Sequence, residues 1–375
     1  MIRVLQKTAT LGPGGIQKFL INVQSNMDSS EVVFDYFLNT LEPNFFTETA
    51  KNLGSNIYGR NRNIGNPITK FWRRYRLFYS VLKKEKYSIV HIDETLEMTA
   101  FSVLVARFAG TRTIIAHSHN DHASEKTLWV RKHLLNPVYR MIISRLATDY
   151  FACSQIAAKW MFTPEIVESG KVKIINNGIQ SELYVYNPTI EKAYREKLGL
   201  GDSYVLGHVG RFFYQKNHKF ILDTFKEISK LKEDSILVLV GDGELKQEME
   251  SYAKHLGVYH KVLFYGVTSE VNKILQTFNA FIFPSRYEGL GIVAIEAQAA
   301  SVQTFCAEET IAKEVSVTEF CHYIPLKLGP AEWAKRIIQC SEMYEKRNTS
   351  KDIRNANFDI ATVSKMLEKF YCSKE

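Results

Sequence analysis

The stretch 284–300 reads PSRYEGLGIVAIEAQAA and follows a short apolar strand that we predict at 280–283. Pro284 ends the strand, a turn flanked by Gly289 and Gly291 follows, and small residues then predict a helix from about Ile292. A strand that passes through a glycine turn into a helix is the unit from which parallel α/β sheets are built. The stretch therefore indicates an α/β fold.

Two acidic residues in this stretch stand eight positions apart, Glu288 in the turn and Glu296 in the helix. Eight helical residues turn through roughly 800° and rise about 12 Å, so both carboxylates could face one side. Between them, the backbone N–H groups of Gly289, Leu290 and Gly291 lie at a predicted helix N-terminus, which favours phosphate. Carboxylates suit hydroxyls, so the pattern predicts a nucleotide sugar. An ordinary strand–turn–helix with solvated acids is the alternative that spacing leaves open.

The same alternation of strand and helix extends over the whole chain. The predicted strands are 2–6, 32–38, 88–93, 112–118, 149–154, 171–176, 204–210, 235–241, 261–266, 280–284, 302–307 and 321–325. Repeated β-α units imply parallel sheets covered by helices on both faces. A chain of 375 residues suits two such domains. We therefore predict two doubly wound domains with a ligand crevice at the carboxyl ends of both sheets.

A charged helical segment that follows Asn187-Pro188 separates the two series of strands. We predict a first domain over 1–187, a linker over 188–203 and a second domain over 204–350. The last part, 351–375, carries apolar residues at helical spacing between 358 and 371, and predicts an amphipathic helix that packs on one of the domains.

The formal charge of +8 lies entirely on the first half of the chain. Residues 1–187 hold 23 Lys and Arg against 15 Asp and Glu, and residues 188–375 hold 25 of each. An anionic partner of the first half is expected, and because nothing resembles a nucleic-acid module, a membrane surface or a phosphate-bearing acceptor is favoured. No signal peptide and no apolar run long enough for a bilayer is visible. Five scattered cysteines indicate reduced thiols in a cytoplasm.

A glycine loop near the N-terminus, Gly12-Pro13-Gly14-Gly15, lies between a predicted strand and a predicted helix. Such a loop can bring backbone amides to a phosphate or a hydroxyl. It is not the dinucleotide fingerprint, since Gln17 replaces the third glycine, and this disfavours an NAD-dependent dehydrogenase. A plain tight turn is the alternative.

Two cations follow the first strand of the second half, Arg211 directly and Lys216 five residues later, before a helix that opens near Asn217. Arginine offers a bidentate fork and lysine a point charge, and together they suit a diphosphate whose charge grows in the transition state. Two surface cations without a role are the alternative.

Several motifs, in order, resemble the retaining GT-B glycosyltransferases of family 4, of the kind used for bacterial capsule and exopolysaccharide. They are GPGG with the helix IQKFLINV, HSHN (117–120), INNGI (175–179), GRFFYQKNH (210–218), VGDGEL (240–245), FYGV (264–267) and PSRYEGLGIVAIEAQA (284–299), the last of which matches the family's E-x7-E motif. The resemblance implies two Rossmann-like domains that face each other across a cleft, and a terminal helix that crosses back to the first domain.

The resemblance also implies roles for single residues. Arg211 and Lys216 would bind the donor diphosphate, Glu288 the donor sugar, and Glu296 the ribose hydroxyls. The other residues implied in donor binding are Gly14, Gly15, Gly210, Gly241, Val267, Gly289, Leu290 and Gly291. Gly14 and Gly15 could instead approach the acceptor, and the loops at 241–243 and 266–267 would line the base pocket. Such enzymes need no metal, and the chain has no D-x-D motif.

A histidine-rich cluster, His117, His119, Asp121 and His122, admits three interpretations. Zinc is one, although the spacings are loose and no cysteine is near. A packed or solvated cluster is the second. The third follows from the resemblance, in which His119 would lie beside the transferred sugar and act in catalysis, with His117 and Asn120 as neighbours.

Lys216→Ala is expected to lower turnover by roughly tenfold or more, and Asp121→Ala is not.

A basic and aromatic stretch covers residues 60–84, where cations alternate with aromatic rings. Such a helix suits the headgroup level of an anionic bilayer, while a solvated helix with one core face is the alternative. We hypothesise that it holds the protein at the inner face of the cell membrane.

Together these features predict a cytoplasmic, membrane-associated enzyme that moves a hexose or N-acetylhexosamine from a UDP-sugar to a polyprenyl-diphosphate-linked or growing glycan, with retention and without a metal. A UDP-sugar epimerase on the same fold and a non-catalytic partner subunit are the alternatives. The joint presence of Arg211, Lys216, Glu288 and Glu296 disfavours the second.

Overall fold

The computed structural model describes residues 1–12, 14–42, 44–60, 66–119, 131–341 and 344–375, with the backbone alone at 131 and 132. The chain forms two compact units, each considered by itself below. The first contains Met1–Gly178 together with Phe358–Glu375, and the second contains Ile179–Asn357. Within the described ranges no helix is both long and apolar enough to cross a bilayer.

The first unit is built on a parallel sheet of seven strands in the order β3-β2-β1-β4-β5-β6-β7. The strands are β1 Ile2–Thr8, β2 Val32–Phe37, β3 Ile57–Tyr58, β4 Ile89–Asp93, β5 Thr113–Ser118, β6 Asp149–Ala152 and β7 Val172–Ile174. The helices are α1 Gly15–Ser25, α2 Thr47–Asn52, α3 Pro67–Glu85, α4 Leu96–Ala109, α5 Asn136–Leu146, α6 Gln155–Met161 and α7 Pro164–Glu168. A π-helical turn, Arg131–Leu135, leads into α5.

The second unit is built on a parallel sheet of six strands in the order β10-β9-β8-β11-β12-β13. The strands are β8 Tyr204–Val209, β9 Ser235–Val240, β10 Val262–Gly266, β11 Ala280–Phe283, β12 Gln303–Ala307 and β13 Cys321–Ile324. The helices are α8 Pro188–Lys197, α9 His218–Leu231, α10 Lys246–His255, α11 Val271–Leu275, α12 Ile292–Ala299, α13 Gly329–Ser341 and α14 Ser350–Asn355. Short 3-10 turns include Ser181–Tyr184 and Tyr214–Lys216.

Every predicted strand is present, and the strand pairs of both sheets are all parallel. The strands β2, β4 and β5 are buried along their whole length, which explains why each has apolar residues at consecutive positions rather than only at alternating ones. The sequence did not predict β3, a two-residue edge strand that pairs with β2, because two residues carry no pattern.

The last helix, α15 Ile360–Cys372, packs on α1, β1 and β2 of the first unit. Its apolar face, which includes Ile360, Val363, Leu367 and Tyr371, belongs to the core cluster of that unit. Gly178 lies against it so closely that a Cβ would come 2.9 Å from the Ile360 Cα. The amphipathic pattern at 358–371 thus has its partner in the first unit.

The units divide after residue 178 and again after residue 357, whereas the sequence analysis drew a linker over 188–203. The charged helix α8 lies inside the second unit. Arg195 Nη1 donates to the Thr277 carbonyl oxygen at 2.9 Å, and Lys346 Nζ pairs with Glu191 at 2.8 Å. These two contacts join α8 to the second unit, so this charged segment is part of that unit and not a linker.

Candidate active site

Each sheet has a switch point, where the strand order reverses. In the second unit it lies between β8 and β11, which are neighbours in the sheet although β9 and β10 come between them in sequence. Ligands of open parallel α/β sheets bind outside the carboxyl ends of the strands at such a point. The loops that leave these two ends are 210–217 and 284–291, and they carry the predicted cations and acids.

Hydrogen bonds join these two loops. The Arg286 N–H donates to the Gln215 carbonyl oxygen at 2.8 Å, and the Gln215 side-chain amide donates to the Tyr287 carbonyl oxygen at 2.9 Å. The Asn217 side-chain amide donates to the Pro284 carbonyl oxygen at 3.1 Å. Residues 72 positions apart in sequence, such as Lys216 and Glu288, are therefore held next to each other.

Lys216 and Glu288 form an ion pair, with Nζ 2.5 Å from Oε1. Their side chains are only 16% and 10% exposed, so water screens the pair weakly. The same ammonium group lies 4.9 Å from the centre of the Phe283 ring, at the end of β11. A cation and a carboxylate thus occupy one spot at the switch point. A bound diphosphate could share the cation, and a sugar hydroxyl could share the carboxylate.

Arg211 is exposed, and its guanidinium group lies over the Phe213 ring at 4.4 Å from the ring centre. The structure therefore places it on the same loop as Lys216, with its charge accessible to solvent. Gly210, just before it, has no room for a side chain, because a Cβ would lie 2.8 Å from Nε2 of the buried His208.

The predicted glycines at the base pocket follow neighbouring strands. Gly241 follows β9 with φ of +138°, and a Cβ there would lie 2.1 Å from the Gly210 carbonyl oxygen. Its N–H donates to the Gly266 carbonyl oxygen at the end of β10. Val267 comes next and is 80% exposed. These residues follow one another along the carboxyl edge of the sheet. At Gly241, the backbone of Gly210 lies too close for any side chain.

Helix α12 begins directly after Gly291, whose φ of +93° is left-handed and whose Cβ would lie 2.6 Å from Cε1 of Phe283. The helix N-terminus is therefore packed against the end of β11, next to Leu290 and Gly289. Further along, Glu296 is buried and accepts a hydrogen bond from the Tyr184 hydroxyl at 2.6 Å. Sequence analysis did not identify Tyr184, which lies 112 positions away.

In the first unit, Gly14 caps α1 and Gly15 opens it, after β1. A Cβ built at Gly15 meets no atom of the described residues within 4 Å, so packing in this part of the chain does not require glycine there. Gln17 donates to the Thr8 hydroxyl at 3.2 Å and ties the helix to the strand end. Pro13, which the sequence analysis placed in this loop, lies outside the described residues.

The switch point of the first unit lies between β1 and β4, and beside it is a buried cluster centred on Asp93. Asp93 Oδ1 is 2.7 Å from His119 Nε2 and 3.2 Å from His117 Nδ1. His117 Nδ1 lies 3.1 Å from His91 Nε2, and His91 Nδ1 lies 2.7 Å from the Tyr371 hydroxyl on α15. A chain of hydrogen bonds thus runs from the terminal helix to His119.

The environment of this cluster fixes its charges. Burial, and then repulsion from His119, lowers the pKa of His117 to about 3. Burial alone would raise the pKa of Asp93, but attraction to His91 and hydrogen bonds from His117 and His119 hold it well below its usual range. Asp93 is therefore ionised and accepts a hydrogen bond from His119 Nε2.

The predicted histidine cluster is correct only in part. Asn120, Asp121 and His122 lie outside the described residues. The structure brings His117 and His119 together with Asp93 and His91, which the sequence analysis did not select. His91, Asp93 and His117 offer donor atoms within 4.8 Å of one another, a spacing that a metal ion could use. The absence of a metal from the reaction stays a prediction. One signal could have found Asp93, because it ends a strand that neighbours the HSH strand.

Comparison with known proteins agrees with this geometry. Residues 13–183 match the model of the family described as Glycosyltransferase Family 4, and residues 190–356 match Glycosyl transferases group 1. A Bacillus subtilis (strain 168) protein, EpsF, which is assigned as a glycosyltransferase, is 32% identical over 90% of this chain and 88% of its own length. The chain belongs to this glycosyltransferase family. The prediction of the family is therefore confirmed.

Two other relatives of this glycosyltransferase have more specific names. The Escherichia coli enzyme named UDP-Gal:alpha-D-GlcNAc-diphosphoundecaprenol alpha-1,3-galactosyltransferase is 31% identical over 59% of the chain and 57% of its own length. The Staphylococcus aureus protein CapH, a capsular polysaccharide biosynthesis glycosyltransferase, is 26% identical over 79% of the chain and 80% of its own.

Solved structures confirm the predicted fold class of the glycosyltransferase. HepE of Anabaena, crystallised in complex with UDP, superposes with a TM-score of 0.79 at 18% identity, over the full length of both chains. WaaG, a glycosyltransferase of lipopolysaccharide biosynthesis, superposes with a TM-score of 0.70 at 14% identity, over 98% of this chain and 99% of its own. Two parallel sheets and these neighbours establish the GT-B fold.

Proposed function

We propose that this glycosyltransferase transfers a hexose or an N-acetylhexosamine from a UDP-sugar to a lipid-linked or growing glycan, with retention of the anomeric configuration. The donor assignment rests on the Lys216–Glu288 ion pair, which lies at the switch point of the second sheet. Helix α12 begins at the same edge of that sheet, directly after Gly291. A cation, a carboxylate and a helix N-terminus together suit a phosphate joined to a sugar.

In this proposal the chain acts mainly by positioning and by electrostatics. Negative charge grows on the diphosphate as the bond from its oxygen to the sugar breaks. Lys216, Arg211 and the N-terminus of α12 would stabilise that charge, and Glu288 would hold a sugar hydroxyl. The incoming acceptor hydroxyl would attack the face that the diphosphate leaves and give its proton to a diphosphate oxygen. We expect no metal, since these cations supply the compensating charge.

The activities for which relatives are named support the choice of donor and acceptor. The Escherichia coli relative is named for UDP-galactose and a diphosphoundecaprenol acceptor, and a Campylobacter jejuni relative is an N-acetylgalactosaminyltransferase of a diphospho-undecaprenol substrate. HepE was crystallised with UDP and with UDP-glucose. The first half of this chain carries the whole excess of positive charge, which suits an acceptor that bears phosphate.

We also propose that the enzyme lies in the cytoplasm, at the inner face of the membrane. On α3, an exposed stripe of side chains combines apolar or aromatic residues with cations: Ile68, Trp72, Arg76, Tyr79 and Lys83. Ile68 and Trp72 are 69% and 66% exposed. The opposite face of α3, with Tyr75 and Phe78, is buried. The helix thus has the core face of the alternative interpretation and, in addition, an outer face suited to headgroups.

The neighbouring helices extend this outer face. Helix α3 packs on α4, and α4 packs on α5. Phe108 at the end of α4 is 76% exposed, and Val138 and Met141 on α5 are 45% and 40% exposed. Apolar side chains exposed among cations are expected where a protein meets an anionic lipid surface.

A binding panel tests the donor assignment. Thermal unfolding is measured with UDP, GDP and ADP, and then with sugars linked to the diphosphate that binds. A ligand that binds only the folded chain at 100 times its Kd adds about 2.7 kcal/mol to the free energy of unfolding, which raises Tm by several degrees. We expect this shift with UDP and its sugars. A shift with GDP or ADP alone would contradict the uridine assignment, and no shift with any would contradict a nucleotide-sugar donor.

A further inference from the structure

The hydrogen bond between Tyr184 and Glu296 indicates a role beyond the matched motif. Tyr184 ends the short 3-10 turn Ser181–Tyr184 and is 5% exposed, and Glu296 is 9% exposed on α12. The hydroxyl oxygen is 2.6 Å from Oε1, which is the length of a charge-assisted O–H···O⁻ bond. Burial, and then the negative charge of Glu296, raises the pKa of Tyr184. The phenol therefore stays protonated and acts as the donor of this hydrogen bond.

The surrounding elements hold this tyrosine firmly. Asn272 on α11 donates to the Leu183 carbonyl oxygen at 2.9 Å, and Arg354 on α14 pairs with Glu182 at 2.9 Å. The turn also packs on α12 itself. Residues from three helices therefore hold the turn that ends at Tyr184, so its hydroxyl has little freedom to follow a moving carboxylate.

We propose that Tyr184 is a positioning residue for recognition of the nucleotide ribose. Resting on the proposed function and on the ribose contact that the family resemblance implies for Glu296, Tyr184 holds the carboxylate through Oε1 in the orientation that the 2′- and 3′-hydroxyls require. A glutamate has three side-chain torsions, and fixing one oxygen removes most of that freedom before the ligand binds. The tyrosine would therefore act on nucleotide affinity through Glu296, without touching the reacting sugar.

Removing only the hydroxyl, as in Tyr184→Phe, isolates this role. We expect the affinity for UDP to fall about tenfold, the order of one hydrogen bond to a charged group. Affinity for 2′,3′-dideoxy-UDP should stay within about twofold of the parent's, since that ligand has no ribose hydroxyls to lose. Isothermal titration with both ligands measures the two values. In Glu296→Gln, the further change Tyr184→Phe should add little.

Tyr186→Phe is the matched control. Its hydroxyl also donates to a carboxylate, Glu191 at 2.7 Å, but that residue lies on α8. This variant should bind both ligands like the parent. Unfolding temperatures of both variants show whether either change merely loosens the fold.

The outcomes separate the inference from the proposed function. Two results for the parent would show that the role of Glu296 is wrong, and the inference would fail with it. In the first, the parent binds UDP and 2′,3′-dideoxy-UDP equally. In the second, it binds neither of these, nor GDP, ADP or their dideoxy forms. Suppose instead that the parent discriminates but Tyr184→Phe weakens both ligands equally, or changes neither. Then the donor site stands and the positioning role of Tyr184 is overturned.

Discussion

At the scale of single residues, the site of the second unit depends on a charge pair that the free protein satisfies internally. Lys216 and Glu288 compensate each other in a poorly exposed place. Losing one of them leaves the other with an uncompensated charge, which is more costly than losing a surface ion pair. Their effect on catalysis and their effect on stability must therefore be measured separately.

Lys216→Ala should lower turnover by roughly tenfold or more, because a charge that stabilises the leaving diphosphate is gone. Release of nucleoside diphosphate with a lipid-linked acceptor measures the rate, at donor concentrations that give kcat and KM. Lys219→Ala is the control, since Lys219 is an exposed cation three residues further on, over the Tyr252 ring. Equal turnover for Lys216→Ala and the parent, with both folded, would remove the assignment.

At the scale of elements, α3 shows how one helix can serve a core and a surface at once. Its buried side chains Tyr75, Phe78, Val81 and Leu82 recur at helical spacing on the sheet side. Most cations of α3 are exposed, but Arg74 is half-buried and its Nη1 lies 3.9 Å from Met98 Sδ. A test of membrane binding should therefore leave Arg74 in place.

Reversal of Arg73, Arg76 and Lys83 to glutamate should reduce binding to vesicles that contain anionic lipid by more than about tenfold, since each such cation contributes on the order of 1 kcal/mol. Flotation of the enzyme with phosphatidylglycerol vesicles measures the bound fraction. Glutamate at Lys219, Lys254 and Lys335 gives the same change in net charge on the second unit, where all three are exposed. If both triple variants float like the parent, α3 is only a solvated helix.

At the scale of the whole molecule, buried histidines make stability depend on pH in both units. Burial lowers the pKa of His91 and of His208. Burial, and then repulsion from His119 and Lys216 respectively, lowers the pKa of His117 and of His218 to about 3. Below about pH 6.5 the unfolded chain binds protons at these residues that the folded chain does not. Their contribution is therefore complete above that pH and is lost as the pH falls toward 3.

The free energy of unfolding should fall between pH 6.5 and 4 by on the order of 1.4 kcal/mol per pH unit for each of His117 and His218, whose pKa in the folded chain is about 3. Urea unfolding at fixed ionic strength measures it. His218→Phe should flatten the slope, because a ring stacked on Phe212 at 4.1 Å is kept and the titrating group is removed. His255→Phe is the control for His218→Phe, because it removes an exposed imidazole rather than a buried one. A parent whose stability does not change over this range would contradict the buried neutral state.

Much of this architecture is local and could be predicted. Strands such as Ala280–Phe283 are short apolar runs with turn residues at their ends, and such runs alternate with helical patterns along the whole chain. The acids, cations and glycines of the second unit stand at strand ends, so their shared edge followed from the topology of parallel sheets. The family, which the motifs resembled, is confirmed over nearly the whole chain.

Contacts between distant segments were decided only by the tertiary structure. Sequence alone determined the α/β units, the E-x7-E spacing and the helix that closes the chain. It did not reveal that Tyr184 bonds to Glu296, that Asp93 binds His119, or that α8 belongs to the second unit. Each of these depends on residues far apart in the chain, which no periodicity connects. A pattern reports the neighbours of a residue along the backbone, whereas packing selects its neighbours in space.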